Sequence, residues 1–560
     1  MTAGRIRFDV KWALIFLIAA FMLVFQVFPL LYMVYRALFA SGEFSLEALK
    51  RIYTYDLNWM ALKNTLIGAT FAMLFGTLIA FPLAWLVGRT NMYGRKFFRS
   101  LFVLTYMVPP YLGAMAWLRL LNPKVGNLNV FIRDLLGLAE NPFNIYTLGG
   151  LIWVLTSFYY PYAFITISRA MEKMDPSLEE ASRVSGASPL RTLFTVTLPM
   201  TTPSIVSGAM LVFVSAASCF GIPSIVGMPG QIYTVTTRIV DYVSIGNAQG
   251  LTDATCLALF LMILAALILY SSDFVVGRRQ YITVSGKSTR PAIVDLRKWR
   301  VPVTLAVAAF AFVVVILPFA TVAFTSITKN LGKSLLADGN ITFKHWQTVL
   351  TRDRILNGMR NSLSYAAIAA TVGIVIACVM AYLLQRTQVK GKRIPDFLIT
   401  LGSGSPSVVI ALGLIMTMTG KFGINIYNTI YIMIIAYLIK YQMMGMRTVV
   451  SAISQIHVSL EESSQISGAS WLSTMKNVTL PLILPSIAAG WFLIFIPSFY
   501  ELSMSTLLYS SNTVVIGVQL HEYWTFTSQQ QASAMAFGIL MVVVLLNFIL
   551  NKLTKGNFSI

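Results

Sequence analysis

Apolar residues in this chain come in long runs separated by shorter polar and basic segments. A bilayer core needs about 20 apolar residues per spanning helix. Twelve stretches meet that length: near 12–38, 62–88, 100–121, 147–171, 203–227 and 252–276, then near 301–327, 361–385, 396–418, 427–450, 485–508 and 533–551. The pattern predicts an all-α polytopic membrane protein with about twelve transmembrane helices. The first run follows Arg5, Arg7 and Lys11, is too long for a signal peptide and has no small-x-small cleavage site, so it reads as an uncleaved anchor.

Composition agrees with lipid as the main solvent. Of the residues 57% are hydrophobic and only 11% charged, against about 25% charged in soluble domains. The net charge of +21 would suggest nucleic acid in a soluble protein. Here no basic run is interleaved with stacking aromatics, and cytoplasmic loops of membrane proteins carry excess Lys and Arg, so no nucleic-acid partner is expected. With both termini inside, the segments facing the cytoplasm hold 26 of the 42 basic residues. The bias is sharpest in Arg89–Arg99, in Arg386–Arg393 and in the connector Gly277–Arg300, which has seven basic residues and no spanning run.

That connector is the seam of a duplication. Asn64-Thr65-Leu66 corresponds to Asn361-Ser362-Leu363, Arg89-Thr90 to Arg386-Thr387, Gly94 to Gly391 and Pro109 to Pro406, all 297 residues apart. Residues 179–208 return as 461–490 at a spacing of 282, with 17 of 30 positions identical. The first half therefore carries about 15 extra residues, placed in 122–144 as an external loop with a short amphipathic helix, Val130 to Leu136. The predicted organisation is one six-helix repeat in 1–276, a basic connector in 277–300 and a second repeat in 301–560. An even number of helices per repeat makes the two parallel, related by an axis along the membrane normal. The outer loops 39–61 and 328–360 are equivalent and are candidates for docking a partner outside.

Each copy of the repeated stretch is polar in its first half. Ser177 with Glu180 and Ser459 with Glu462 have capping-box spacing, while Asp175-Pro176 offers a rival start with Pro at the first helical position. Gly186 and Gly468 are suited to close the short helices in the left-handed conformation. Ser188-Pro189 then looks like a new helix start, and Leu198-Pro199 precedes the next span. The result is a compact helical protrusion on the cytoplasmic side, present twice.

The chain reads Glu180-Ala181-Ser182, three residues, Gly186, nine residues, Val196-Thr197-Leu198-Pro199, and again Glu462-Ser463-Ser464, three residues, Gly468, nine residues, Val478-Thr479-Leu480-Pro481. This resembles the Glu-Ala-Ala, Gly, Ile-x-Leu-Pro signature of permease subunits of binding-protein-dependent ABC importers with the type I fold, two units fused. Ser182, Ser463 and Ser464 stand where the signature has Ala, and Val where it has Ile. The resemblance implies two copies of a cytoplasmic ATP-binding subunit gripping the protrusions, with Glu179, Glu180, Ala181, Gly186, Glu461, Glu462, Ser463 and Gly468 as coupling residues. It also implies an extracytoplasmic solute-binding protein and a bacterial inner membrane. This chain would be no enzyme and bind no cofactor, ATP and Mg residing on the partners.

Other chemistry is thin. Cys219, Cys256 and Cys378 sit apart in apolar stretches, and His345, His457 and His521 show no ligand spacing. Gly286-Lys287-Ser288 and Gly332-Lys333-Ser334 lack the earlier Gly of a phosphate-binding loop, Tyr281 and Ile327 standing there instead. A carrier driven by an ion gradient would want ionisable residues within spans; Glu501, Asp241, Asp253, Asp273 and Glu522 are the acids that come near. The resemblance places a translocation path along Cys219 and Phe220 in the first half and Tyr500, Glu501 and Ser503 in the second. The FGIPSIVG stretch from Phe220 and the YELSMS stretch from Tyr500 are similar to the ferric-iron group of these importers. Glu501 is then the candidate for a transient contact with the metal, the alternative being a Glu hydrogen-bonded to its neighbours. Phosphonate, a polyamine or another small solute remains an alternative cargo.

Overall fold

The structure, a computed structural model, describes residues 10–40, 42–277, 293–333 and 337–553. Arg5 and Arg7, most of the basic connector and the Gly286-Lys287-Ser288 segment lie outside the described residues, as does Ser334. Among the described residues the secondary structure is helical throughout, with isolated bridges and no strand. Nine helices among the described residues are long and apolar enough to cross a bilayer, from Lys11–Leu38 to Gln529–Leu550. Two further candidates, Arg95–Met107 with Pro110–Leu121 and Arg393–Gly404 with Ser407–Thr417, are bent by 102° and 109°. The helix Ile430–Gln455 has 26 residues, like its counterpart Leu148–Lys173, but Lys440, Gln442 and Arg447 interrupt its apolar run.

The stretches 100–121 and 396–418, expected as one spanning helix each, are thus broken within the run. The cause is local: a residue before proline is pushed out of the α region. Pro109, before Pro110, has ψ 125° and Ser405, before Pro406, has ψ 137°, so each chain turns and a new helix begins. Two other spans start earlier than hydropathy places them. Instead of 203–227 and 485–508, the helices run Pro189–Ala217 and Trp471–Phe499, because the polar half of each repeated stretch continues helically into the membrane segment.

Leu198-Pro199 is therefore no break. A proline within a helix removes one hydrogen bond and clashes with the carbonyl four residues back. Here the preceding turn, Leu193–Thr197, widens to a π turn in which the N–H of Leu198 donates to Leu193 O. The same turn precedes Pro481, where Leu480 N–H donates to Met475 O. It also precedes Pro29 and Pro318 in the first span of each half. Each widened turn takes the strain of a proline two residues later and lets the helix go on.

In each half a 34-residue helix, Asp56–Arg89 or Asp353–Arg386, packs against Leu148–Lys173 and Pro189–Ala217 or against Ile430–Gln455 and Trp471–Phe499. Small residues permit the approach: a Cβ on Gly208 would come within 2.9 Å of Ala163 Cα. The matched Asn64-Thr65 and Asn361-Ser362 pairs acquire a purpose. Asn64 donates to Tyr233 O at 3.0 Å and Thr65 Oγ1 accepts from Val235 N–H at 2.9 Å; Asn361 donates to Val514 O at 2.9 Å and Ser362 Oγ accepts from Ile516 N–H at 2.9 Å. Both pairs fasten the start of a short helix behind the irregular segment that follows Ala217 or Phe499.

The repeats are not separate bodies. Ile15, Ile18 and Met22 of the first span are buried with Leu398 and Ile399 of the second half's bent pair, and Gln26 Nε2 donates to Leu398 O at 2.9 Å. Reciprocally, Phe310 of the second half's first span packs edge-on against Phe102 and Tyr160. Each half lends its first span to the other. The extra segment of the first half forms the helix Asn127–Leu136, three residues longer at its start than expected. Arg119 beside it donates to Leu331 O at 2.5 Å, across to the other half's outer loop.

Candidate functional site

The two repeated stretches fold alike. The first loop helix is Pro176–Val184 and the second Val458–Ile466. The expected capping boxes do not form, because each helix starts one residue before its serine. In the first, Asp175 caps by accepting from Ser177 N–H at 2.9 Å, and that bond holds its exposed carboxyl below the usual range. In the second, His457 Nδ1 accepts from Ser459 N–H at 3.3 Å.

Both helices end in a Schellman motif. Gly186, at φ +85°, donates to Arg183 O while Ala187 N–H donates to Ser182 O. Gly468, at φ +89°, donates to Gln465 O while Ala469 N–H donates to Ser464 O. Ser188 and Ser470 then cap the long helices. Two of the serines that depart from Ala bind the pieces together: Ser182 lies 3.1 Å from Thr192 Oγ1, and Ser464 lies 2.9 Å from Thr474 Oγ1.

The two glutamates of each pair have different surroundings. Glu179 and Glu461 are buried, whereas Glu180, Ala181, Gly186, Glu462, Ser463 and Gly468 are exposed. Glu179 accepts from Thr197 Oγ1 at 2.6 Å and faces Arg89 Nη1 at 3.5 Å. Glu461 accepts from Thr479 Oγ1 at 3.2 Å and from Arg386 Nε at 3.0 Å. Arg89 also donates to Met171 O and Met174 O, and Arg386 to Ile453 O and Ile456 O. These arginines end the 34-residue helices, so each buried glutamate ties its loop to that helix and to the end of the helix before it. Sequence reasoning placed both arginines among the basic loop residues; their shared spacing of 297 was the signal. The exposed crest is apolar at matching positions: Val184 is 89% and Ile466 86% exposed, followed by Leu190 and Leu472.

Between the halves lies a cavity of ≈ 510 Å³. Of the residues expected on a translocation path, Cys219, Tyr500, Glu501 and Ser503 line this cavity. Phe220 does not; it is buried against the His521 ring, 5.8 Å between centroids. The Glu501 carboxylate is 5% exposed and accepts from Met504 N–H at 3.0 Å, Ser505 N–H at 2.9 Å and Ser505 Oγ at 2.9 Å. It thereby takes up N–H groups at the start of the short helix Ser505–Leu508. Among the described residues no three His, Cys, Asp or Glu side chains converge to hold a metal.

Asp241, Asp253 and Glu522 pair with Arg238, Arg51 and Arg354; the side chain of Asp273 is outside the described set. Sequence reasoning missed Lys440 and Arg447, which line the cavity with Tyr106, Tyr159, Tyr162 and Tyr441. Lys440 stands near the middle of its helix, a place that costs about 2.5–3.5 kcal/mol on insertion scales. Its Nζ donates to Ser403 O at 3.0 Å and Ser405 O at 2.7 Å, the carbonyls left open where the bent pair breaks. At the 282 spacing its counterpart is Phe158, and that of Glu501 is Cys219.

Comparison with known proteins returns the family described as "binding-protein-dependent transport system inner membrane component", matching twice, over residues 80–279 and 373–555. A ferric transport system permease protein from Actinobacillus pleuropneumoniae is 24% identical over 94% of this chain and 75% of its own length. An Fe(3+)-transport system permease protein from Haemophilus influenzae is 25% identical over 92% of this chain and 93% of its own. A solved bacterial ABC transporter involved in import of the polysaccharide alginate covers 47% of this chain at 17% identity, with a TM-score of 0.39.

Proposed function

The chain belongs to the family of binding-protein-dependent transport system inner membrane components, an integral membrane protein with the family's unit present twice, and from that premise we propose that it forms the translocation path of an ATP-driven importer for ferric iron. Residues 1–276 and 301–560 act as the two permease units, joined through 277–300, with both termini in the cytoplasm. A cytoplasmic ATP-binding subunit grips each loop helix, so two copies are engaged, and ATP and Mg are held there. An extracytoplasmic binding protein delivers the solute to the opposite face.

The observation that carries this reading is the pair of protrusions, alike in fold, each with an exposed apolar crest above a buried Glu–Arg anchor. Val184 and Ile466 stand almost fully in the open, an arrangement that costs apolar hydration unless a partner covers it. Glu180, Ala181 and Gly186, with Glu462, Ser463 and Gly468, form the surface such a partner meets, while Glu179 and Glu461 pass its motion to the spans. The iron reading is supported by relatives named for ferric transport that match over most of both chains.

The test is Gly186→Pro together with Gly468→Pro. Proline cannot take the positive φ found at both sites and removes the N–H that closes each Schellman motif. With the ATPase and binding protein reconstituted, solute-dependent ATP hydrolysis should disappear while the chain still inserts. Unchanged coupling in the double variant would sink the proposal.

A further inference from the structure

Lys440 holds the one cationic head on the cavity wall that lacks a carboxylate partner among the described residues. Arg447, seven residues on, pairs with Asp396 at 3.1 Å. Among the described residues no acid lies within 4.0 Å of Lys440 Nζ. An ammonium has three N–H donors, and two are given to the carbonyls of Ser403 and Ser405. The third is left over. Glu501 lines the same cavity, but its oxygens already accept from Met504 and Ser505. It lowers the local potential beside Lys440.

Of the second-half hydroxyls that line the cavity with Lys440, Thr400 and Ser403 donate to Asp396 O and Lys440 O, which leaves Ser407 as the uncommitted donor. The facing wall from the first half mixes tyrosine and serine with apolar side chains such as Met210, Leu211 and Val214, and carries no charge. One spare N–H on a fixed cation, with the Ser407 hydroxyl on the same wall, offers charge-assisted bonds to anionic oxygen. The duplicated half has Phe158 at the matching place, so this chemistry is one-sided.

We propose that Lys440 makes the cavity a site for anionic oxygen, so that a solute is held there through phosphate- or carboxylate-type oxygens and ferric iron enters only as a complex carrying such ligands. This rests on the reading of the cavity as the translocation path. Lys440 fixes where the anionic group sits, and Ser407 completes its contacts.

The full chain in phosphatidylcholine nanodiscs tests this by equilibrium binding of radiolabelled inorganic phosphate and citrate. The wild type should bind at least one of them. Lys440→Met should weaken binding about tenfold or more, the loss of a charged hydrogen bond, and Lys440→Arg should retain it. Since Lys440→Met also frees the carbonyls of the broken helix, Ser407→Val is the second variant; it leaves those bonds in place, puts methyl groups on the same wall and should also weaken binding. Binding of neither anion by the wild type, or binding unchanged in both Lys440→Met and Ser407→Val, would overturn the proposal. Ferric citrate as competitor separates the two readings: Lys440-dependent anion binding that ferric citrate does not displace upholds the anion site and removes iron as the cargo.

Discussion

At the scale of residues, the doubled glutamate divides its labour. Glu180 and Glu462 face outward, while Glu179 and Glu461 are desolvated and held by one arginine and one threonine each. Two buried charges are tolerable only while both are present; removing one partner leaves the other unpaired at a cost of about 3–5 kcal/mol. Arg386→Met should therefore lower the thermal midpoint of the detergent-solubilised chain and expose the second loop to protease. Adding Glu461→Gln should recover part of that loss, since the stranded charge is then gone; a double variant no better than the single one would show that Arg386 acts chiefly through its bonds to Ile453 O and Ile456 O. The glutamates were legible from the repeat alone. Their arginines were not, because a basic residue at the end of a spanning helix looks like an orientation signal until a carboxylate 75 residues away is found against it. Lys440 was missed for a related reason, as one charge within a long apolar run is easily counted with the run.

At the scale of elements, the π turn before each proline decides how a loop helix is aimed. A π turn inserts one residue into the helical register, and one residue corresponds to about 100° of rotation. Leu193–Thr197 and Met475–Thr479 thus set the azimuth of the short segment from Ser188 or Ser470 relative to the span that enters the membrane. Pro199→Ala together with Pro481→Ala should let both turns relax to α geometry, raise the thermal midpoint, and reduce solute-coupled ATP hydrolysis because both crests are rotated away. A midpoint that rises with coupling intact would mean the bulges are only strain relief. Hydropathy could not reveal this continuity. It marks where apolar residues begin, not where the helix does, and so it placed the spans at 203–227 and 485–508, with Leu-Pro ahead of each. The bends at Pro109-Pro110 and Ser405-Pro406 were written in the chain as X-Pro pairs, yet the apolar runs on either side concealed them.

At the scale of the whole molecule, the duplication fixes two similar units but says nothing about how they embrace. Periodicity and spacing report which residues belong to equivalent helices; they carry no information on which helix of the other half a span will touch. The interleaving follows from contacts distant in sequence: Gln26 with Leu398 O, and Phe102 and Tyr160 with Phe310. Without the other half, the bent pair 393–417 would lose the cover of Ile15, Ile18 and Met22, and the first half's pair would lose that of the span Arg297–Ser326. The expected behaviour of a chain divided between residues 284 and 285 follows. Either fragment expressed alone should be degraded or aggregate, since its bent pair is left without a partner span. The two expressed together should co-purify through an affinity tag on one of them and restore the coupled ATPase activity, because the surfaces that join them are built by the spans and not by the connector. Stable, monodisperse accumulation of the 1–284 fragment by itself would contradict this, and would mean that each repeat closes its own core before the exchange of first spans takes place.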